Sequence, residues 1–210
     1  VDGVGDIWGE PLRGNFRQLH KLKALFPDLK VHISLGGWTW SKFFSDGAFT
    51  PASRETLVRS CIDLFIKGNL PVVDDAGGPG AAAGVFDGID LDWEWHGSEG
   101  NAGNIVRPGD KHNFTKLVAE FRQQLDQLAK GTDQHYELTA FLPAADGTIA
   151  AGFEVRQLFR LFDFATFQGY DLAGAWDLSA TNHHSKLFAP ALDPQPACSV
   201  DHSVRSLTEA

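Results

Sequence analysis

The sequence predicts an α/β fold built on a parallel sheet, and two observations carry that prediction. Four extended apolar segments alternate strictly with amphipathic helical ones, the pattern of βαβ units with right-handed crossovers. Neither a GxGxxG nor a GxxxxGK[ST] loop follows any of these segments, so an open nucleotide-binding sheet lacks its phosphate cradle and a barrel is the better expectation.

From Asn15 to Phe26, the residues Phe16, Leu19, Leu22 and Leu25 recur at three-residue spacing, an amphipathic helix closed by Pro27. Leu29 to Trp38, LKVHISLGGW, reads as the first strand and ends in a glycine pair. A second helix has Pro51 near its first turn and carries Leu57, Val58, Cys61, Ile62 and Phe65 on one face before Gly68. Val72 to Gly84 is rich in Gly and Ala and is expected to be a mobile loop. Val85 to Trp93 is the second strand, followed by a glycine-bearing loop to Gly109. The next helix runs to Lys130, with Asp110 as its expected N-cap and Gly131 as its stop. Tyr136 to Pro143 is the third strand, Val155 to Leu161 a short helix, Asp163 to Tyr170 the fourth strand, and Asp171 to Ser199 a long loop.

At 210 residues and 43% hydrophobic, the chain can bury one substantial core, so residues 1–210 are expected to be one domain or part of one. A formal charge of -9 with no basic cluster argues against nucleic acid and anionic membranes as partners. No apolar run reaches the ~18 residues of a spanning helix, and the start VDGVGDIWGE has neither a basic nor an apolar leader region. The protein is expected to be soluble, with any export signal removed or not included. Cys61 and Cys198 are too few for a disulfide scaffold, so packing must hold the fold. The absence of Met, even at position 1, reads as a mature form or a fragment.

The chemistry concentrates on the second strand. Residues two apart on a strand share a face, so Asp90, Asp92 and Glu94 line up while Ile89, Leu91 and Trp93 point the other way. In a barrel the acidic set would face the interior, with Glu94 at the C-terminal mouth where barrel active sites lie. Asp87 breaks the alternation and is expected to anchor the start of the strand. Like charges about 6 to 7 Å apart cannot all ionise cheaply, so at least one pKa should rise and a proton should be shared within the row. A raised carboxyl at its end is a general acid. Two alternatives stand beside this reading: a solvated acidic strand, which the flanking Phe86, Trp93 and Trp95 weigh against, and a Mg²⁺ or Ca²⁺ site, whose EF-hand form would need a Gly at the sixth position.

FDGIDLDWE, Phe86 to Glu94, matches the DxxDxDxE signature of glycoside hydrolase family 18, and SLGGW, Ser34 to Trp38, matches that family's SxGG. YDLAGAW, Tyr170 to Trp176, is similar to the Tyr-Asp pair that ends the family's sixth barrel strand. The chain thus resembles the catalytic barrel of a bacterial-type family 18 chitinase along essentially its whole length.

The resemblance implies a (β/α)8 TIM barrel of which the third to sixth strands are covered, with two family strands expected before Val1 and two after Ala210. It implies that Glu94 protonates the glycosidic oxygen, that Asp92 turns towards it and then towards the sugar's acetamido group, and that Asp90 holds the proton Asp92 needs. Tyr170, with Asp171 beside it, would position the acetamido carbonyl, which attacks the anomeric carbon in place of an enzyme nucleophile. Gly37, Trp38 and Trp176 would bind substrate, and Ser34 and Asp87 would support the row. Trp38, Trp40, Trp95 and Trp176 could stack on sugar faces, with ordinary packing an equal reading for Trp40 and Trp95.

The implied partner is chitin or N-acetylglucosamine oligosaccharides, cleaved with retention, without metal or organic cofactor, by a secreted protein that is monomeric as part of a longer chain. Two alternatives remain: an endo-β-N-acetylglucosaminidase on glycoproteins and a binding-only chitinase-like lectin. His96 departs from the family, which usually has Pro there, and puts the conformation of the following loop in question. Asn182, His183 and His184 are expected in a solvated loop. No bond is expected between Cys61 and Cys198, and residues 1–210 alone are expected neither to fold stably nor to cleave chitin.

Overall fold

Alternation decides which side of each strand is dry. In the computed structural model, which describes residues 1–98, 100–131 and 133–209, the acidic segment forms a strand at Gly88–Asp92 whose Ile89 and Leu91 are fully buried. The strands in chain order are β1 (His32–Gly36), β2 (Leu70–Val73), β3 (Ala76–Gly78), β4 (Gly88–Asp92), β5 (Glu137–Leu142) and β6 (Phe164–Phe167). A four-stranded sheet has the order β1-β4-β5-β6, and every neighbouring pair is parallel.

The helices are α1 (Gly14–Leu25), α2 (Phe44–Phe49), α3 (Pro51–Cys61), α4 (Asp110–Ala129), α5 (Asp146–Gly152), α6 (Val155–Leu158) and α7 (Val200–Glu209). Leu117, Val118, Phe121 and Leu125 of α4 recur at helical spacing and are fully buried, as are Leu138 and Ala140 of β5. Each large apolar side chain of this layer contributes roughly 1.5–3 kcal/mol by leaving water. The core therefore lies between the sheet and its helices, and the opposite face of the sheet carries His32, Ser34, Asp90, Asp92, Glu137 and Thr139.

Several expectations are corrected. The first helix begins one residue early, and only its Phe16 and Leu19 pack on the core, while Leu25 is 63% exposed. The N-cap of α4 is Gly109, not Asp110. Asp110 is instead buried, its Oδ2 accepting from the Arg107 N–H at 2.7 Å and its Oδ1 from Ser45 Oγ at 2.8 Å, so it ties the incoming loop to α2. The segment expected to be a mobile loop holds the antiparallel β2–β3 hairpin. Its two-residue turn places Asp74 and Asp75 at φ 45 and 66, the left-handed pair that a tight hairpin demands.

The short helices α2 and α5 lie in stretches for which the sequence pattern indicated no element, and α3 runs on through a π-helical turn at Ile62–Ile66. Residues 171–199 are irregular as expected, but they are not loose. Lys186 and Asp193 form a buried ion pair there, and Asn182 Nδ2 and the Gln195 N–H both donate to the other Asp193 oxygen. His202 of α7 then reaches Asp146 at 2.7 Å, and Ser203 Oγ donates to the Ala144 carbonyl at 3.0 Å. Both cysteines are free, and burial pushes the Cys61 thiol up to about 11.

Candidate active site

Two-residue periodicity puts Asp90 and Asp92 on the inner face of β4 and carries Glu94 just past its end. Register supplies their neighbours: Ser34 of β1 pairs with Asp90, and Asp90 with Thr139 of β5. Ser34 Oγ donates to Asp90 Oδ2 at 2.8 Å and Thr139 Oγ1 donates to Oδ1 at 2.7 Å. Both Asp90 oxygens therefore serve as acceptors, one from each neighbouring strand.

Asp92 sits between two acids. Burial, then the charges of Glu94 and Asp90, push its carboxyl up to about 7, and a hydrogen bond with Glu94 adds to the rise. Glu94 is raised by burial, while hydrogen bonds from Asp92 and from the Trp38 backbone N–H draw it down and the charge of Asp171 lifts it again. The hydrogen bond between the two carboxyls raises Asp92 and lowers Glu94, so in it Asp92 donates and Glu94 accepts.

The glycine pair makes this possible. Gly36 and Gly37 adopt φ +114 and +85, and a Cβ on Gly36 would stand 2.1 Å from the Asp92 carbonyl oxygen. The Gly37 N–H donates to that carbonyl at 2.7 Å. Ser41, fully buried, donates to the Gly37 carbonyl at 2.8 Å and accepts from the Glu94 N–H at 2.8 Å. Asn104 Nδ2 donates to the Glu94 carbonyl at 2.8 Å. Ser41 and Asn104 thus fix the backbone on both sides of the acid. Neither was singled out from sequence, although Ser41 is the one hydroxyl between Trp40 and the apolar start of α2.

On the β6 side, Phe141 stacks between Trp95 and Tyr170, with ring centroids 5.8 and 6.3 Å away. The Tyr170 phenol is raised by burial and by the charges of Glu94, Asp92 and Asp171, which locates its hydroxyl in the field of the row. Asp171, at φ 55, accepts from Gln168 Nε2 at 3.2 Å and pairs with His184 Nε2 at 3.2 Å. His184, expected in a solvated loop, is therefore an unforeseen neighbour of the site. A cavity of about 140 Å³ lies beside Tyr170 and Asp171, walled by Trp95 and Gln168.

Trp38 and Trp176 are exposed, and so is Trp40 at 81%, whereas Trp95 is buried. Asp87 lies away from the row, at the strand's start, accepting from the Val31 N–H at 2.8 Å and from Lys23 Nζ at 2.7 Å. Among the described residues no cluster of three or more His, Cys, Asp or Glu side chains is arranged to hold a metal ion.

The profile of Glycosyl hydrolases family 18 matches residues 2–210. Chitinase A1 of Niallia circulans is 38% identical over 188 residues, covering 90% of this chain and 24% of that protein. The catalytic domain of psychrophilic chitinase B from Arthrobacter TAD20 superposes with a TM-score of 0.92 at 51% identity, covering 97% of this chain and 48% of that one. A family 18 N-acetylglucosaminidase from Paenibacillus barengoltzii gives a TM-score of 0.75 at 31% identity, covering 93% and 52% of the two chains. The chain spans about half the length of these solved chains and about a quarter of chitinase A1. Its four parallel strands are accordingly a segment of a (β/α)8 barrel, with the acidic signature on an inner strand. With the profile matched over nearly every residue, the chain belongs to glycosyl hydrolase family 18.

Proposed function

We propose that the protein hydrolyses the β-1,4 bonds between N-acetylglucosamine units of chitin, with Glu94 as general acid in a retaining, substrate-assisted reaction. The observation that carries this reading is the acidic row itself: a raised Asp92 hydrogen-bonded to Glu94 at the mouth, above an Asp90 that accepts from two hydroxyls. The proton that Asp92 directs at Glu94 passes to Glu94 and on to the glycosidic oxygen as the bond to the anomeric carbon breaks, which leaves Asp92 ionised. The substrate's acetamido oxygen forms the new bond to that carbon, and Asp92 accepts a hydrogen bond from the acetamido N–H. Charge that develops on the oxazolinium ring is met by the acidic row. Water then opens the ring from the same side, and the Glu94 carboxylate takes its proton.

Tyr170, backed by Asp171 and His184, holds the acetamido carbonyl, and the exposed rings of Trp38 and Trp176 take sugar faces. The names of the bacterial relatives support chitin as substrate, and action outside the cell follows from a polymer too large to enter it.

The test is Glu94→Gln in the full-length protein, assayed on chitin oligomers with a high-mannose glycopeptide as the competing substrate. Oligomer turnover should fall by about 10²- to 10⁴-fold, the usual worth of a general acid, while oligosaccharide binding survives. Equal turnover in the two proteins, or faster cleavage of the glycopeptide, would overturn the assignment.

A further inference from the structure

Beneath the Asp90 layer, the inner face of the sheet holds a second polar layer that the proposed reaction leaves unused. There His32 of β1 is in register with Gly88 of β4, and Gly88 with Glu137 of β5. The middle strand has no side chain at that level. A Cβ on Gly88 would stand 2.4 Å from the Glu137 carbonyl oxygen and 3.0 Å from the Glu137 Cβ. Across the gap His32 Nε2 meets Glu137 Oε2 at 2.7 Å, and the imidazole stacks on Phe164 of β6 with centroids 5.8 Å apart. Its other nitrogen, Nδ1, lies 3.4 Å from Thr139 Oγ1, the hydroxyl that donates to Asp90 Oδ1.

Hydrogen counting orders this chain. The Thr139 hydroxyl has one proton, and with that proton directed at Asp90 its oxygen can only accept from His32. Nδ1 must then be the donor in that contact, while Nε2 faces Glu137 Oε2 on the other side of the ring. Each group in the series Glu137, His32, Thr139, Asp90 is thus oriented by the one before it, and the last is one carboxyl away from the Asp92–Glu94 proton.

We propose that His32 and Glu137 are positioning residues for the glycosidase site. Acting through Thr139, they keep the Asp90 carboxyl engaged as an acceptor and so keep the row's proton at Asp92 and Glu94, where substrate meets it. The inference rests on the proposed function and extends it one layer deeper into the barrel. Neither residue touches substrate, so the pair acts on turnover rather than on binding.

The test uses the full-length protein and separates kcat from KM. His32→Phe, which keeps a ring to stack on Phe164, and Thr139→Val, which keeps the shape and loses the hydroxyl, should each lower kcat about tenfold with KM and oligosaccharide affinity unchanged, the scale of one hydrogen bond to a charged group. Thr139→Ser should restore most of the rate. The double variant should be no slower than Thr139→Val alone, because both changes break the same series. Wild-type kcat in His32→Phe, or additive losses in the double variant, would overturn the role. A dead Glu94→Gln protein beside a fully active His32→Phe sinks the positioning pair alone, whereas an active Glu94→Gln sinks the proposed function and the pair with it.

Discussion

Asp92 holds its proton into the range where most carboxyls have long lost theirs, because burial and two neighbouring acids act on it together. Its carboxyl is raised from 3.8 to about 7, so between those values the folded protein binds a proton that the unfolded chain has released. Stability from this group is therefore highest in acid and declines as pH rises through that window. The same ionisation removes the hydrogen bond that Asp92 donates to Glu94 and sets a negative charge between two other carboxyls. We expect kcat on chitin oligomers to fall as pH rises through about 7, and Asp92→Asn, which cannot ionise, to be slower overall and to lack that limb. A pH profile of kcat for both proteins checks this, and an unchanged alkaline limb in the Asn variant would count against Asp92 as its source.

The turn after β4 shows how an element can carry a hidden cost in acid. The ring of His96 lies fully buried, with centroids 4.1 Å from Phe114 and 4.0 Å from Phe153. Burial pushes its imidazole down to about 3, with the Trp93 and Gly152 backbone opposing the shift. The unfolded chain therefore takes up a proton below about 6.5 that the folded one refuses, and stability drains as pH falls from there towards 3. His96→Phe should flatten that dependence, so urea midpoints at pH 7 and 4.5 should lie closer together than in the wild type. A parallel loss in both would show that other groups set the acid limit.

At this scale much was legible in the sequence: the four sheet strands, α1, α3 and α4 follow from period and punctuation, and the acidic row from a strict two-residue repeat. What escaped depends on contacts the sequence does not order. The β2–β3 hairpin was hidden because its turn is Asp74-Asp75 rather than a glycine pair, and α2 and α5 are too short to show a period. The His32–Glu137 contact was invisible because it spans two strands and needs both the register and an empty position at Gly88.

The whole molecule is a sheet with a finished outer side and an unfinished inner one. Helices cover Ile89, Leu91, Leu138 and Ala140, yet the inner layer of His32, Ser34, Asp90 and Glu137 faces no opposing strand among the described residues, and β1 and β6 lie at the sheet's edges. An edge strand presents unpaired N–H and C=O groups, and Trp40, Phe43 and Phe164 lie exposed on or near those edges. In a closed (β/α)8 barrel such edges vanish and the interior fills with side chains in layers. We therefore expect residues 1–210 expressed alone to self-associate and to melt without a cooperative transition, whereas the chain extended to the length of its solved relatives should melt cooperatively and turn over chitin oligomers. Calorimetry with size-exclusion chromatography on the two proteins is the measurement. A monodisperse, cooperatively melting and active 210-residue monomer would show that the four-stranded sheet and its helices are sufficient, and that the polar inner layer is stable facing water rather than the rest of a barrel.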